Sequence, residues 1–222
     1  MKSKSDYLII GLVAVLITAI VIFGAAFMIN MNKPEITEVP DVEIREDGTV
    51  YAGGETLEEM ALSVVNYCIT DDMTELQKYR ALHDYIVDNA YYDFNALYEA
   101  ETKTFTKQGQ EAHDARLVLA YGRGVCDGYA YAYQALCKAA GLPCEMVFGD
   151  TDGQAYNNMG HAWNRVKVGG HWYHVDVTWD DPVYEDGTEV GGVIDYFLVS
   201  DKKLKAEGRD FELGFCTDTQ YD

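Results

Sequence analysis

The stretch GRGVCDGYAYAYQALCKAAG, residues 122–141, places a cysteine between glycines at the point where a helix begins. Gly122, Gly124 and Gly128 bracket Cys126, and the alanine- and tyrosine-rich run that follows meets no breaker before Gly141. The first turn of a helix carries about half a positive charge and N–H groups without intrahelical partners. Both favour a thiolate over a thiol and make the sulfur a nucleophile. The flanking glycines leave room for a substrate backbone to approach. Asp127 works in the opposite direction, because a neighbouring carboxylate disfavours the sulfur anion. A small buried cysteine in a tight turn is the competing reading, and Cys137, deeper in the same helix, is placed as a structural cysteine.

A cysteine nucleophile needs a base, and the base needs a group to orient it. Three of the five histidines lie in HAWNRVKVGGHWYHVDVTWDD, residues 161–181, where Gly169-Gly170 is a two-residue hairpin signal. With these glycines as the loop, Val168 faces His171, His161 opposes Thr178 and Trp163 opposes Asp176. Side chains alternate along each strand, so His161, Trp163, Trp172, His174 and Asp176 share one face. Ala162, Val166, Val168, Tyr173, Val175 and Val177 form the other, more apolar face. His161 and Asp176 are then diagonal neighbours within side-chain reach. A carboxylate holding an imidazole fixes its tautomer and stabilises its protonated form, as acyl transfer requires. Asp176 could instead cap a turn, but mid-strand in YHVDVTW an aspartate is disfavoured.

Metal chemistry competes for the same residues. His171 and His174 of HWYH point to opposite faces and do not clasp one ion, whereas His161, His174 and Asp176 could. DDPVYEDGTE is acidic but lacks calcium-loop spacing and reads as a solvated loop. No metal or other cofactor is therefore expected. His113 reads as lying on the exposed side of its helix, and His83 has no evident partner.

Outward from these segments, helical signals precede strand signals. Thr56 with Glu59 makes a capping box ahead of LEEMALSVVNYCI, and a second helix follows Asp71-Asp72 with Leu76, Tyr79, Leu82, Ile86 and Val87 on its apolar face. NAYYDFNALYEAETKTFTKQG reads as a long irregular connection, and QEAHDARLVLAYG as a short helix feeding the cysteine segment. CEMVFGD, HAWNRVKV, HWYHVDVTW and DYFLVS read as strands divided by glycine turns. Helices followed by an antiparallel sheet predict an α+β domain over residues 56–222.

Residues 7–29 carry no charge, which is long enough to cross a bilayer as a helix and too long for a signal-peptide core. Lys2 and Lys4 precede this span and only Lys33 follows closely, which predicts a cytoplasmic tip and anchor over 1–29 with the rest outside. Residues 30–55, with two prolines and Gly53-Gly54, read as a stalk, although Val42, Ile44 and Val50 suit a short edge strand. The five cysteines would face an oxidising space, where an odd count leaves at least one thiol free. A formal net charge of −20 excludes nucleic acid as a natural partner.

The blocks GVCDGYAYAYQALCKAAGLPCEMVFG, GHAWNRVKVGGHWYHVDVTWDDP and DYFLVSD, with LHDYIVDNAYYDFN upstream, resemble the transglutaminase-like superfamily, particularly its bacterial exported members. The resemblance spans about residues 56–202. It implies a papain-like α+β core, with the nucleophile helix packed on an antiparallel sheet and a catalytic triad of Cys126, His161 and Asp176. The implied activity is cysteine-dependent acyl transfer on protein or peptide amides at the cell envelope, through a thioester. Water as acceptor gives hydrolysis and an amine gives cross-linking. The backbone N–H of Cys126 would help bind the oxyanion. The chain lacks the length for the extra β-sandwich domains of animal tissue transglutaminases, so their calcium control is not implied. A non-catalytic binding or scaffolding module on the same fold is the alternative. Trp163, Trp172 and Tyr129 are candidates for groove walls, although such aromatics are more often core.

Overall fold

Two short polar caps start the helical half. The computed structural model describes residues 38–94, 96, 111–151, 160–181 and 195–222. The apolar stretch 7–29 and most of the acidic loop after Asp180 lie outside these residues. Among the described residues no helix is long and apolar enough to cross a membrane. Strands β1 (Glu43–Ile44) and β2 (Val50–Tyr51) form a small antiparallel ribbon. Val50 and Ala52 are buried in the main core, and Ala52 N–H donates to Leu119 O, so the packed unit includes residues read from sequence as stalk. Helix α1 (Leu57–Cys68) opens with the expected Thr56/Glu59 capping box. Helix α2 (Glu75–Asn89) opens with a second one, Thr74 with Gln77, that the sequence reading did not specify.

Strand β3 (Tyr91–Tyr92) follows, and after it α3 (Ala115–Tyr121), β4 (Arg123–Gly124) and α4 (Cys126–Ala139). β3 and β4 pair in parallel, which draws Tyr92 beside the chain entering α4. Strands β5 (Cys144–Thr151), β6 (His161–Val168), β7 (His171–Val175) and β8 (Phe197–Val199) come next, then α5 (Asp201–Ala206) and β9 (Arg209–Asp210). The antiparallel sheet has the order β8-β7-β6-β5-β9. Gly169 and Gly170 both have positive φ (58° and 91°), as a tight two-residue turn demands, and the register is the one read from them: Val168 faces His171.

The two faces of the sheet build two cores. Val166, Tyr173 and Val175 pack with Val64, Leu82, Tyr133 and Leu136 of the helices. Residues of the other parity, Val147 and Trp163, pack with Tyr196, Val199 and Leu204. Trp163 and Tyr129 are fully buried and Trp172 is half-buried beside Arg165 and Lys167, so these aromatics are core and surface packing rather than groove walls.

One strand is shorter than its pattern. HWYHVDVTW predicts pairing through Trp179, but β7 stops at Val175. Asp176 lies just past the strand and organises a turn: its N–H donates to Tyr196 O, its C=O accepts from Asp180 N–H, and Oδ1 accepts from Trp179 N–H at 3.2 Å. The partner strand is also irregular there. One extra residue, Leu198, sits between the pairs His174↔Val199 and Val175↔Phe197, with φ at 65°.

Candidate active site

Cys126 is the first residue of α4, and the N-cap before it, Val125, has no side chain to occupy the free N–H groups of the first turn. The Tyr92 hydroxyl lies beside both the backbone N–H and the thiol of Cys126. Burial and the neighbouring Cys126 push the Tyr92 phenol well above its ordinary range, so it stays an O–H donor. The glycines around Cys126 serve packing rather than substrate approach. A Cβ on Gly128 would lie 2.5 Å from Ala112 O, and one on Gly124 would lie 2.6 Å from Val118 Cγ2. The segment ahead of α3 presses on the start of α4 and fixes where the cysteine sits.

That segment also brings His113. It precedes α3 instead of riding on it, and its Nδ1 lies 2.7 and 2.6 Å from the two carboxylate oxygens of Asp127. Hydrogen bonding to Asp127 raises the His113 pKa against the effect of partial burial. The carboxylate of Asp127, expected from sequence to oppose a thiolate, is therefore engaged by the His113 imidazole.

His161 and Asp176 meet as the hairpin register requires. His161 Nε2 is 2.8 Å from Asp176 Oδ2, with both side chains buried. The His161 ring also stacks on Trp163 and tilts against Trp179, each at 5.6 Å between centroids. With Nε2 committed to Asp176, Nδ1 is the ring nitrogen left for the Cys126 side chain, which lies within hydrogen-bonding reach of the ring. Burial opposes the imidazolium, but Asp176 and then Cys126 outweigh it and raise the His161 pKa to about 9. Burial also opposes the Asp176 carboxylate, yet His161 and Arg209 hold it well below the usual range. A cleft of about 520 Å³ opens on the pair, lined by Cys126, His161, His113, Phe148 and Gly149 among others. Cys126, His161 and Asp176 are thus brought together.

The other histidines are committed elsewhere. His83 does have partners: Nδ1 lies 2.9 Å from Asp84 Oδ1 and Nε2 lies 2.9 Å from the buried Asp180 Oδ2. Against the opposing effect of burial, hydrogen bonds to the two carboxyl groups raise the His83 pKa. His174 accepts from Trp163 Nε1–H on Nδ1 at 3.0 Å and donates through Nε2–H to Asp201 Oδ1 at 2.8 Å. His161, His174 and Asp176 therefore do not form a metal set. His174, Asp201 and Cys216 do lie together. Both His174 nitrogens are used, however, and Asp201 already accepts from the Gly214 and Cys216 N–H groups, which accounts for the cluster as a hydrogen-bonded clamp on the C-terminal segment. All five cysteines are free thiols.

The pair also sets a pH dependence of stability. A histidine raised from 6.5 to about 9 contributes stability that is complete below pH 6.5 and is lost as pH rises through about 9. Asp176, being depressed, contributes above its unfolded pKa and loses that contribution as pH falls. Buried His174, lowered to about 4, works against folding as pH falls below 6.5. The thermal midpoint is thus expected to fall between pH 7 and 9, and calorimetry of His161→Gln should give a flatter profile over that interval.

Known proteins share this arrangement of sequence. Human kyphoscoliosis peptidase is 29% identical over 146 residues, covering 63% of this chain and 21% of that protein. The mouse kyphoscoliosis peptidase is 26% identical over 165 residues, covering 71% of this chain and 24% of that protein. The chain therefore spans less than a quarter of the length of these curated relatives. A crystal structure of a TGase aligns over 69% of this chain and 35% of that one, at 20% identity and a TM-score of 0.42. The family model described as transglutaminase-like superfamily matches residues 63–177, an interval that contains Cys126, His161 and Asp176. Because that match covers just over half of the chain, the chain belongs to the transglutaminase-like superfamily.

Proposed function

We propose that this domain is a cysteine-dependent acyl-transfer enzyme acting on protein or peptide amides, with Cys126, His161 and Asp176 as its triad. The observation that carries the proposal is the buried hydrogen bond from Asp176 Oδ2 to His161 Nε2, with the Cys126 side chain, at a helix start, beside the same imidazole. Cys126 gives its proton to His161 Nδ1 and its sulfur attacks the amide carbonyl. The resulting oxyanion takes hydrogen bonds from the Cys126 N–H and the Tyr92 O–H. The intermediate collapses, His161 Nδ1–H protonates the departing amine, and an acyl thioester remains on Cys126. Water or a primary amine then gives its proton to His161 and attacks the thioester, restoring the thiol. Asp176 holds the imidazole in one tautomer and stabilises its protonated form.

The same proposal places the domain outside the cytoplasm, anchored in the bilayer through residues 7–29, with envelope proteins or peptides as substrates. The uncharged stretch and the lysines ahead of it support this location.

Ranking the cysteines by reactivity tests the nucleophile without knowledge of the substrate. Burial raises Cys68 and Cys216 to about 12, and burial likewise holds Cys137 well above the ordinary thiol range. Iodoacetamide at limiting dose and neutral pH is expected to label Cys126 first, read by peptide mapping. Labelling that begins at Cys68 or Cys137 would contradict the assignment.

A further inference from the structure

Beyond the family-matched interval 63–177, strand β9 delivers a fully buried arginine to the triad. Arg209 Nη1 donates to Asp176 Oδ2 at 2.6 Å, the same oxygen that meets His161 Nε2 at 2.8 Å. Its residue is 1% exposed. The guanidinium lies over the rings of Trp179, Tyr196 and Trp163, at 4.2, 4.6 and 5.3 Å. Among the described residues Nε and Nη2 have no hydrogen-bond partner and Asp176 is the carboxylate that this buried cation pairs with, with aromatic faces around the rest. A site built only to neutralise Asp176 would not need to converge on the oxygen that holds the histidine.

We propose that Arg209 is a positioning residue of the triad, which fixes Asp176 through Oδ2 and weakens its pull on the His161 proton. This rests on the acyl-transfer reading and deepens it. His161 must take a proton from Cys126 and later give one to the leaving amine, and a general acid works best when it does not hold its proton too tightly. Asp176 alone would favour a buried imidazolium strongly. A cation on the same carboxylate oxygen offsets part of that field. With Arg209 present, the thiolate, imidazolium, carboxylate and guanidinium sum to zero charge; without it, the buried set carries a net negative charge that binds the proton more firmly.

Other charged groups lie around this set. Asp180 is held by His83, Asp84 closes the far side of His83, and His174 is held by Asp201. Glu207 lies near Tyr196, and Cys126 faces His161.

The test is the titration of the His161 ring in ¹⁵N-histidine-labelled full-length protein, assigned by comparison with His161→Gln. Arg209→Gln keeps a donor without charge and Arg209→Met keeps apolar contact; Arg209→Lys keeps the charge. In the neutral variants the His161 midpoint is expected to move up by about one pH unit, while Arg209→Lys stays near wild type. Making both neutral variants keeps the test available where one of them fails to fold. A merely structural arginine predicts a lower melting temperature with an unmoved midpoint, and that result overturns the proposal. Iodoacetamide mapping of the wild type separates the two levels. Unselective labelling removes the acyl-transfer reading itself, whereas selective Cys126 labelling with an unmoved midpoint in both neutral variants removes only the role given to Arg209.

Discussion

Asp176→Asn is expected to leave a folded protein and to cut acyl transfer by about 10⁴-fold, the loss seen when a serine triad suffers the same change. An asparagine can keep the Oδ1 contact to Trp179 N–H and so preserve the turn after β7. What it loses is the charge on Oδ2, which both His161 and Arg209 address. An amide placed there presents either an N–H toward the imidazole, which favours the wrong tautomer, or a neutral acceptor, which no longer stabilises the imidazolium. It also leaves the buried Arg209 charge without its counter-ion, so some stability is lost with the activity. The comparison variant is Asp180→Asn. Sequence position alone made Asp180 look incidental, but it is buried against His83, so that variant should lower the melting temperature while sparing the chemistry. Rates of p-nitrophenyl acetate turnover against melting temperature separate the two effects. Near-wild-type turnover in a folded Asp176→Asn protein would remove Asp176 from the triad.

Cys126→Ala is expected to have the largest effect, about 10⁶-fold on turnover, the scale on which loss of a triad nucleophile acts. Alanine suits a helix start sterically and replaces a side chain that bears no structural hydrogen bond beyond Tyr92 and His161, so circular dichroism should be unchanged. His161 would lose one of the two groups that raise its pKa and keep the other, Asp176. A variant retaining more than about a hundredth of wild-type turnover, against the loss expected for a triad nucleophile, would mean that another group is the nucleophile.

The local features of this fold were legible because each is decided by neighbouring residues. The Thr56/Glu59 box, the helix start at Cys126 and the Gly169-Gly170 register each rest on a handful of adjacent positions, and the register brings the end of β7, just before Asp176, toward His161. The same reasoning misjudged where β7 ends, because the strand signal of YHVDVTW ignores Asp176, whose side chain bonds its own turn in preference to the ladder. It also read Gly124 and Gly128 as space for substrate, when that space is filled by the Ala112–Val118 segment. Long-range partners left no local trace. His83 meets Asp180 across 97 positions, and Arg209 meets Asp176 across 33. An isolated arginine or aspartate in a chain this charged reads as solvated surface, and only the closing of the sheet by β9 shows Arg209 to be buried.

The most direct test of the account is to capture the covalent intermediate. Full-length protein mixed with p-nitrophenyl acetate, quenched in acid after a few turnovers and digested, should yield an acetyl thioester on the peptide containing Cys126. The adduct should be absent from Cys126→Ala and should accumulate poorly in His161→Gln. Acetylation confined to lysines, or to Cys68, Cys137, Cys144 or Cys216 while Cys126 remains unmodified, would contradict the assignment of Cys126 as the nucleophile of an acyl-transfer triad.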